Sequence, residues 1–168
     1  MRCVIASVLV PACLSFGLLV GGTADARAQE IRIDVPVTLK EAKVVFNLDH
    51  PSFEGDVPTG LQFLQIMAPG LRQAGTKATI VAIFHGAAGY LLLNDATYDR
   101  VRNWSGGNPY KDRIAALIRD GVQIEECAET MRQNRWTNAD LLPGVKVNSG
   151  ANFRIVQLVQ DGFVQLQP

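Results

Sequence analysis

Cysteine is scarce in this chain. There are three in 168 residues, and two of them, Cys3 and Cys13, lie in an apolar N-terminal stretch. Histidine is scarcer still, with only His50 and His85. Two scattered histidines and one downstream cysteine do not make a zinc-ligand spacing, so no metal is expected. Charge is sparse and balanced, 16 basic residues against 16 acidic. No basic stripe points to nucleic acid, and no acidic tail points to a solvating segment. The glycine-rich turn Gly86-Ala87-Ala88-Gly89 lacks the Lys-Ser/Thr of a P-loop and the spacing of a dinucleotide fingerprint, so no cofactor is expected. Backbone amides there could at most cradle a small anion. Aromatic residues are few, and Trp104, Tyr110 and Trp136 read as core or interface residues rather than a stacking platform. Neither an internal repeat nor a linker is visible, which implies one domain.

What is present begins with Met1-Arg2, an uncharged run from Cys3 to Val20, then Gly-Gly-Thr and Ala26-Arg27-Ala28. A positive start, an apolar stretch and an A-x-A site make residues 1–28 a signal peptide, cleaved before Gln29. An uncleaved membrane anchor is the alternative, because an uncharged run of this length could just span a bilayer. Cleavage would leave a periplasmic or secreted protein with no membrane attachment and Cys127 as its one thiol. That thiol is then buried and inert, or used, or paired between chains. Residues 29–42 form a leader in which Ile31, Ile33, Val35 and Val37 alternate with polar residues. It suits a short added strand or an arm on a neighbouring subunit.

From residue 43 onward, strands alternate with helices. Lys43–Asp49 and Ala78–Phe84 read as strands covered on both faces. The intervening helix carries Leu61, Leu64, Met67, Ala68 and Leu71, and Pro69-Gly70 should kink or split it. His50–Asp56 reads as a loop. After Gly86 comes a leucine-rich helix, a short helical piece from Asp95 to Trp104, and a helix opened by Pro109 and stopped by Gly121. Val122–Glu126 is a third strand, expected to be half-covered or near an interface because Val122 and Ile124 alternate with Gln123 and Glu125. A short helix from Ala128 to Arg135 follows, and Thr137 or Asn138 caps another turn. Val145–Val147 is a fourth strand. Ser149 should cap a helix ended by Gly162, and Phe163–Leu166 is a fifth strand. This pattern implies a mainly parallel sheet of about five strands with helices on both faces.

Ligands in such sheets sit beyond the carboxyl ends of the strands. That rim receives Asp49 and His50, then His85 and Gly86, then Cys127. Cys127 precedes a helix, whose N-terminus favours a thiolate by about 0.3–1 kcal/mol. Glu125, Glu126 and Glu129 oppose it, so a nearby cation such as Arg132 or protonated His85 would be required.

The pieces Val45-Phe46-Asn47-Leu48, Phe84-His85-Gly86, Gly121–Cys127 and Asp140–Val145, in that order and spacing, resemble the DsrE/DsrF-like family in its exported single-domain branch. The resemblance implies a DsrE-like domain over residues 43–168. It implies a flavodoxin-like three-layer α/β sandwich that assembles into homo-oligomers, trimers or hexamers. It also implies sulfur trafficking, in which a cysteine carries a persulfide between a sulfur donor and a thiol acceptor. Relay members carry their principal working cysteine before the third strand. Asp95–Tyr110 has none, and Cys127 matches the family's other position. Cys127 and His85 are therefore the candidate catalytic residues, with Asn47, Asp49 and Gly86 as candidate ligand contacts. The competing expectation is a non-catalytic oligomeric module that binds a small ligand and merely packs its cysteine.

Overall fold

The computed structural model describes residues 31–168. The expected signal peptide, its cleavage site, Cys3 and Cys13 lie outside the described residues. Residues 31–40 carry no strand, and Ile31, Ile33, Val35 and Val37 are exposed. The compact unit is Val37–Pro168. No helix among the described residues is long and apolar enough to cross a membrane.

The unit is built on a five-stranded sheet in the order β6-β5-β4-β1-β7, comprising β1 (Glu41–Leu48), β4 (Lys77–Phe84), β5 (Gln123–Cys127), β6 (Lys146–Asn148) and β7 (Val164–Leu166). All four strand pairings in it are parallel. A strand buried on both faces needs apolar residues at every position, and the sequence supplies them in β1 and β4. Val44, Phe46, Leu48, Ile80, Ala82, Phe84 and Ile124 point to one face. There they meet Leu61, Leu64 and Ala68 of helix α1 (Thr59–Gln73) and Ile114 and Leu117 of α3 (Lys111–Arg119). Val45, Val81, Ile83 and Cys127 point to the other face, against Ala151, Ile155 and Leu158 of α5 (Ala151–Gln160). Each of these large side chains, fully buried, is worth about 1.5–3 kcal/mol relative to exposure. Helices therefore cover both sides, as the pattern of strands and helices predicts.

Several local expectations need correction. Helix α1 runs unbroken through Pro69. The proline falls in the penultimate turn, so its missing donor leaves only the carbonyl of Gln65 without an intrahelical partner, and Leu71 still packs on the core. The loop after β1 contains a small antiparallel ribbon, β2 (Phe53–Glu54) with β3 (Val57–Pro58), turned at Gly55 with φ of 62°. The leucine-rich piece Gly86–Leu92 is 3-10 rather than α-helical, and Asn94 then caps α2 (Asp95–Arg102). Strand β5 is interior and covered on both faces: Glu125 is 2 % exposed on one and Glu126 is fully buried on the other. Ser149 does not cap α5. The helix starts at Ala151 behind Gly150, and the upstream amide is taken by Asn148.

Candidate functional site

Strand alternation places the site. Asn47, His85 and Cys127 follow Val45, Ile83 and Glu125 at period two, so all three point to the α5 face at the carboxyl rim. Phe84 of β4 pairs with Glu126 of β5, and His85 and Cys127 come one residue further on neighbouring strands. Neighbouring strands lie about 4.8 Å apart, so imidazole and thiol start side by side. They line one cavity of about 240 Å³ with Gly86, Thr130, Gly150 and Phe153. A larger cleft of about 410 Å³ lies at the opposite rim beside Arg72, Lys77 and Asp120, without a thiol or an imidazole.

Cys127 is 4 % exposed and ends β5 where α4 (Ala128–Asn134) begins. Its Sγ accepts the backbone N–H of Ala151 at 3.3 Å, at the start of α5. The sulfur thus meets a second helix terminus that the sequence did not reveal. His85 Nε2 lies 2.7 Å from Asn47 Oδ1. A carbonyl oxygen only accepts, so Nε2 carries the proton and Nδ1 keeps its lone pair. Burial lowers the pKa of His85 below the usual histidine value, with the charge of Asp49 pulling the other way. The ring is neutral at pH 7 and can take up a proton through Nδ1.

Asn47 therefore orients His85, and Gly86 lines the cavity. The Gly86 amide is already donated to Thr130 Oγ1 at 2.8 Å, and the Ala88 amide goes to the carbonyls of Asp49 and His85. Two of the turn's amides are thus engaged within the fold. Thr130, on α4, was missed in the sequence, where nothing distinguishes it from a surface threonine. Replacing it with valine keeps its shape and removes the acceptor for Gly86. The Thr130→Val variant is expected to lose about 1 kcal/mol in urea unfolding. Asp49 does not line this cavity. It accepts from His50 Nδ1 at 2.9 Å and from Gln167 Nε2 at 3.1 Å, and the His50 contact holds its pKa below the usual carboxylate value against the effect of burial.

The three carboxylates near Cys127 are each dealt with differently. Glu129 pairs with Arg132 at the surface. Glu125 pairs with Arg154 at 3.0 Å. Glu126 points to the opposite face of the sheet, where Oε1 accepts the Cys127 N–H at 3.1 Å and Oε2 has no partner. Burial pushes its pKa up to about 9, so it is protonated at neutral pH. Gly89 makes room for it, since a Cβ there would sit 2.9 Å from Glu126 Oε1. Arg132 and His85, the cations that the sequence suggested, are respectively paired and neutral. Arg154 is likewise paired, with Glu125.

Asp95–Tyr110 is bound into the domain by Asn108, which donates to the carbonyls of Leu91 and Leu93 at 2.8 and 2.6 Å. Among the described residues, no group of three or more His, Cys, Asp or Glu could hold a metal ion.

A covered parallel sheet with a cysteine and a histidine sharing a carboxyl-rim cavity defines an α/β sandwich with a thiol site. A profile of the DsrE/DsrF-like family matches residues 43–168, and the chain belongs to that family, which is associated with sulfur relay. Among solved structures, the chain is similar to a protein of unknown function, MTH1491, from Methanobacterium thermoautotrophicum. The TM-score is 0.56 at 20% identity, covering 76% of this chain and 99% of that one, a likeness of fold. It also matches the ychN protein from E. coli, with a TM-score of 0.44 at 13% identity, covering 78% of this chain and all of that one. No curated protein matches the sequence.

Proposed function

We propose that this protein is an exported sulfur carrier that holds a sulfane sulfur atom on Cys127. The observation that supports this most is the shared cavity of Cys127 and His85, with a helix amide on the sulfur. His85 Nδ1 accepts the thiol proton. The thiolate attacks the outer sulfur of a donor R–S–SH. The donor's S–S bond breaks, its electron pair leaves with R–S⁻, and a new S–S bond gives Cys127–S–SH, with no net oxidation. An acceptor thiolate then attacks the outer sulfur and restores the Cys127 thiolate. Gly86 and Phe153 border the space the donor would fill, while Asn47 acts through His85. Homo-oligomer assembly and export, with cleavage before Gln29, belong to the same proposal.

The buried sulfur also suits a second reading, a ligand-binding module with a packed cysteine. Transfer separates the two. Protein exposed to an alkyl persulfide, gel-filtered and offered a small thiol should hand over about one sulfur per chain at most. A Cys127→Ser variant should hand over none. Equal transfer by that variant, or none by the native protein, would reject the carrier reading.

A further inference from the structure

Of the three carboxylates beside Cys127, Glu125 shares the face of the sulfur, two residues upstream on β5. It is 2 % exposed. Arg154 Nε and Nη2 donate to its two oxygens at 3.0 to 3.2 Å. Arg154 lies in the first turn of α5. Asn148, paired with Cys127 in the parallel ladder, donates from Nδ2 to Glu125 Oε2 at 3.1 Å. Its Oδ1 accepts the Gly150 N–H at 3.1 Å. The next amide, that of Ala151, is the one donated to Cys127 Sγ. The start of α5 is thus tied to β5 on both sides of the amide that meets the sulfur. A buried ion pair of this kind is a poor source of stability, since apolar replacements of similar volume are often as good or better. Its geometry calls for another use.

We infer that Glu125, Asn148 and Arg154 are positioning residues for the Cys127 thiol: together they hold the Ala151 amide on the sulfur, and Arg154 cancels the charge that Glu125 places on its face. This rests on the carrier reading above. The Arg154–Glu125 pair keeps a negative charge from opposing the thiolate, and Asn148 sets where the helix begins. The other charged or titratable groups around the sulfur are His85 just after β4, Glu126 on β5, Glu129 and Arg132 on α4, and Lys146 on β6. Lys146 is held away from the sulfur by Gln123.

The test is the pH profile of iodoacetamide alkylation at Cys127 in the full chain, followed by mass, with persulfide loading measured in parallel. Loosening a hydrogen bond at a helix terminus should raise the midpoint in Asn148→Ala by roughly 0.2–0.7 pH unit. The rate below the midpoint should fall about two- to fivefold in proportion. Arg154→Gln should move the midpoint further, because Glu125 then faces the sulfur unpaired. Glu125→Gln combined with Arg154→Gln should bring it back towards the native value, and this neutral pair keeps the test available if Arg154→Gln alone does not fold. A purely structural network would lower the unfolding midpoint and leave the alkylation midpoint where it was. Unchanged midpoints in folded Asn148→Ala and Arg154→Gln, with native protein that loads sulfur, would overturn the positioning role alone. Native protein that takes no sulfur would overturn the carrier reading and this inference with it.

Discussion

Glu126→Gln should stabilise the protein at neutral pH and flatten its pH dependence. In the folded chain the carboxyl is buried, Oε2 has no partner, and the pKa is pushed up to about 9 from an ordinary 4.5. Between those values the unfolded chain has released the proton and the folded chain still holds it. Because the unfolded state binds fewer protons, stability falls as pH rises through that window. By pH 7 the loss amounts to about 3 kcal/mol, at about 1.4 kcal/mol per unit. Glutamine has the shape of the protonated acid and can still accept the Cys127 N–H, but it never ionises. Urea unfolding from pH 5 to 9 should show a declining midpoint in the native chain and a nearly level one in the variant, the two converging near pH 4 to 5. Parallel declines would mean that Glu126 is charged in the fold and paired in a way not seen here.

Arg154→Met should be among the most damaging single changes outside the apolar core. It leaves Glu125, 2 % exposed, as an uncompensated charge inside the domain. Breaking a buried pair from one side costs about 3–5 kcal/mol. Changing both partners, with Glu125→Leu added, removes the charge together with its need for a partner and should recover most of that loss. A double-mutant cycle in urea reads the coupling directly. Independent effects of the two changes would show that the contact between them is incidental.

These two carboxylates also mark where the sequence was legible and where it was not. The runs Val44–Leu48 and Ala78–Phe84 could only be strands covered twice, and two such strands fix which rim receives His85 and Cys127. Alternation then puts Asn47, His85 and Cys127 on one face, so their shared rim could be read before any coordinates. The fate of Glu125 could not be read. Its partner lies 29 positions away on a helix whose docking is set by Ala151, Ile155 and Leu158. Local alternation made Gln123 and Glu125 look like an uncovered or interface side, because periodicity reports polarity and says nothing about a pairing cation. Pro69 misled for a similar reason, since the packing of Leu61, Leu64 and Ala68 outweighs one lost backbone bond. The start of α5 was misjudged by one residue, because Ser149 looked like a cap and the side chain that serves the turn is Asn148.

The most direct measurement is the intact mass of the full chain after incubation with an alkyl persulfide, compared with that of Cys127→Ser. The native protein should gain about 32 Da, one sulfur atom, and the variant nothing. A gain of the same size in the variant, or no gain in the native protein, would contradict the assignment of sulfur to Cys127.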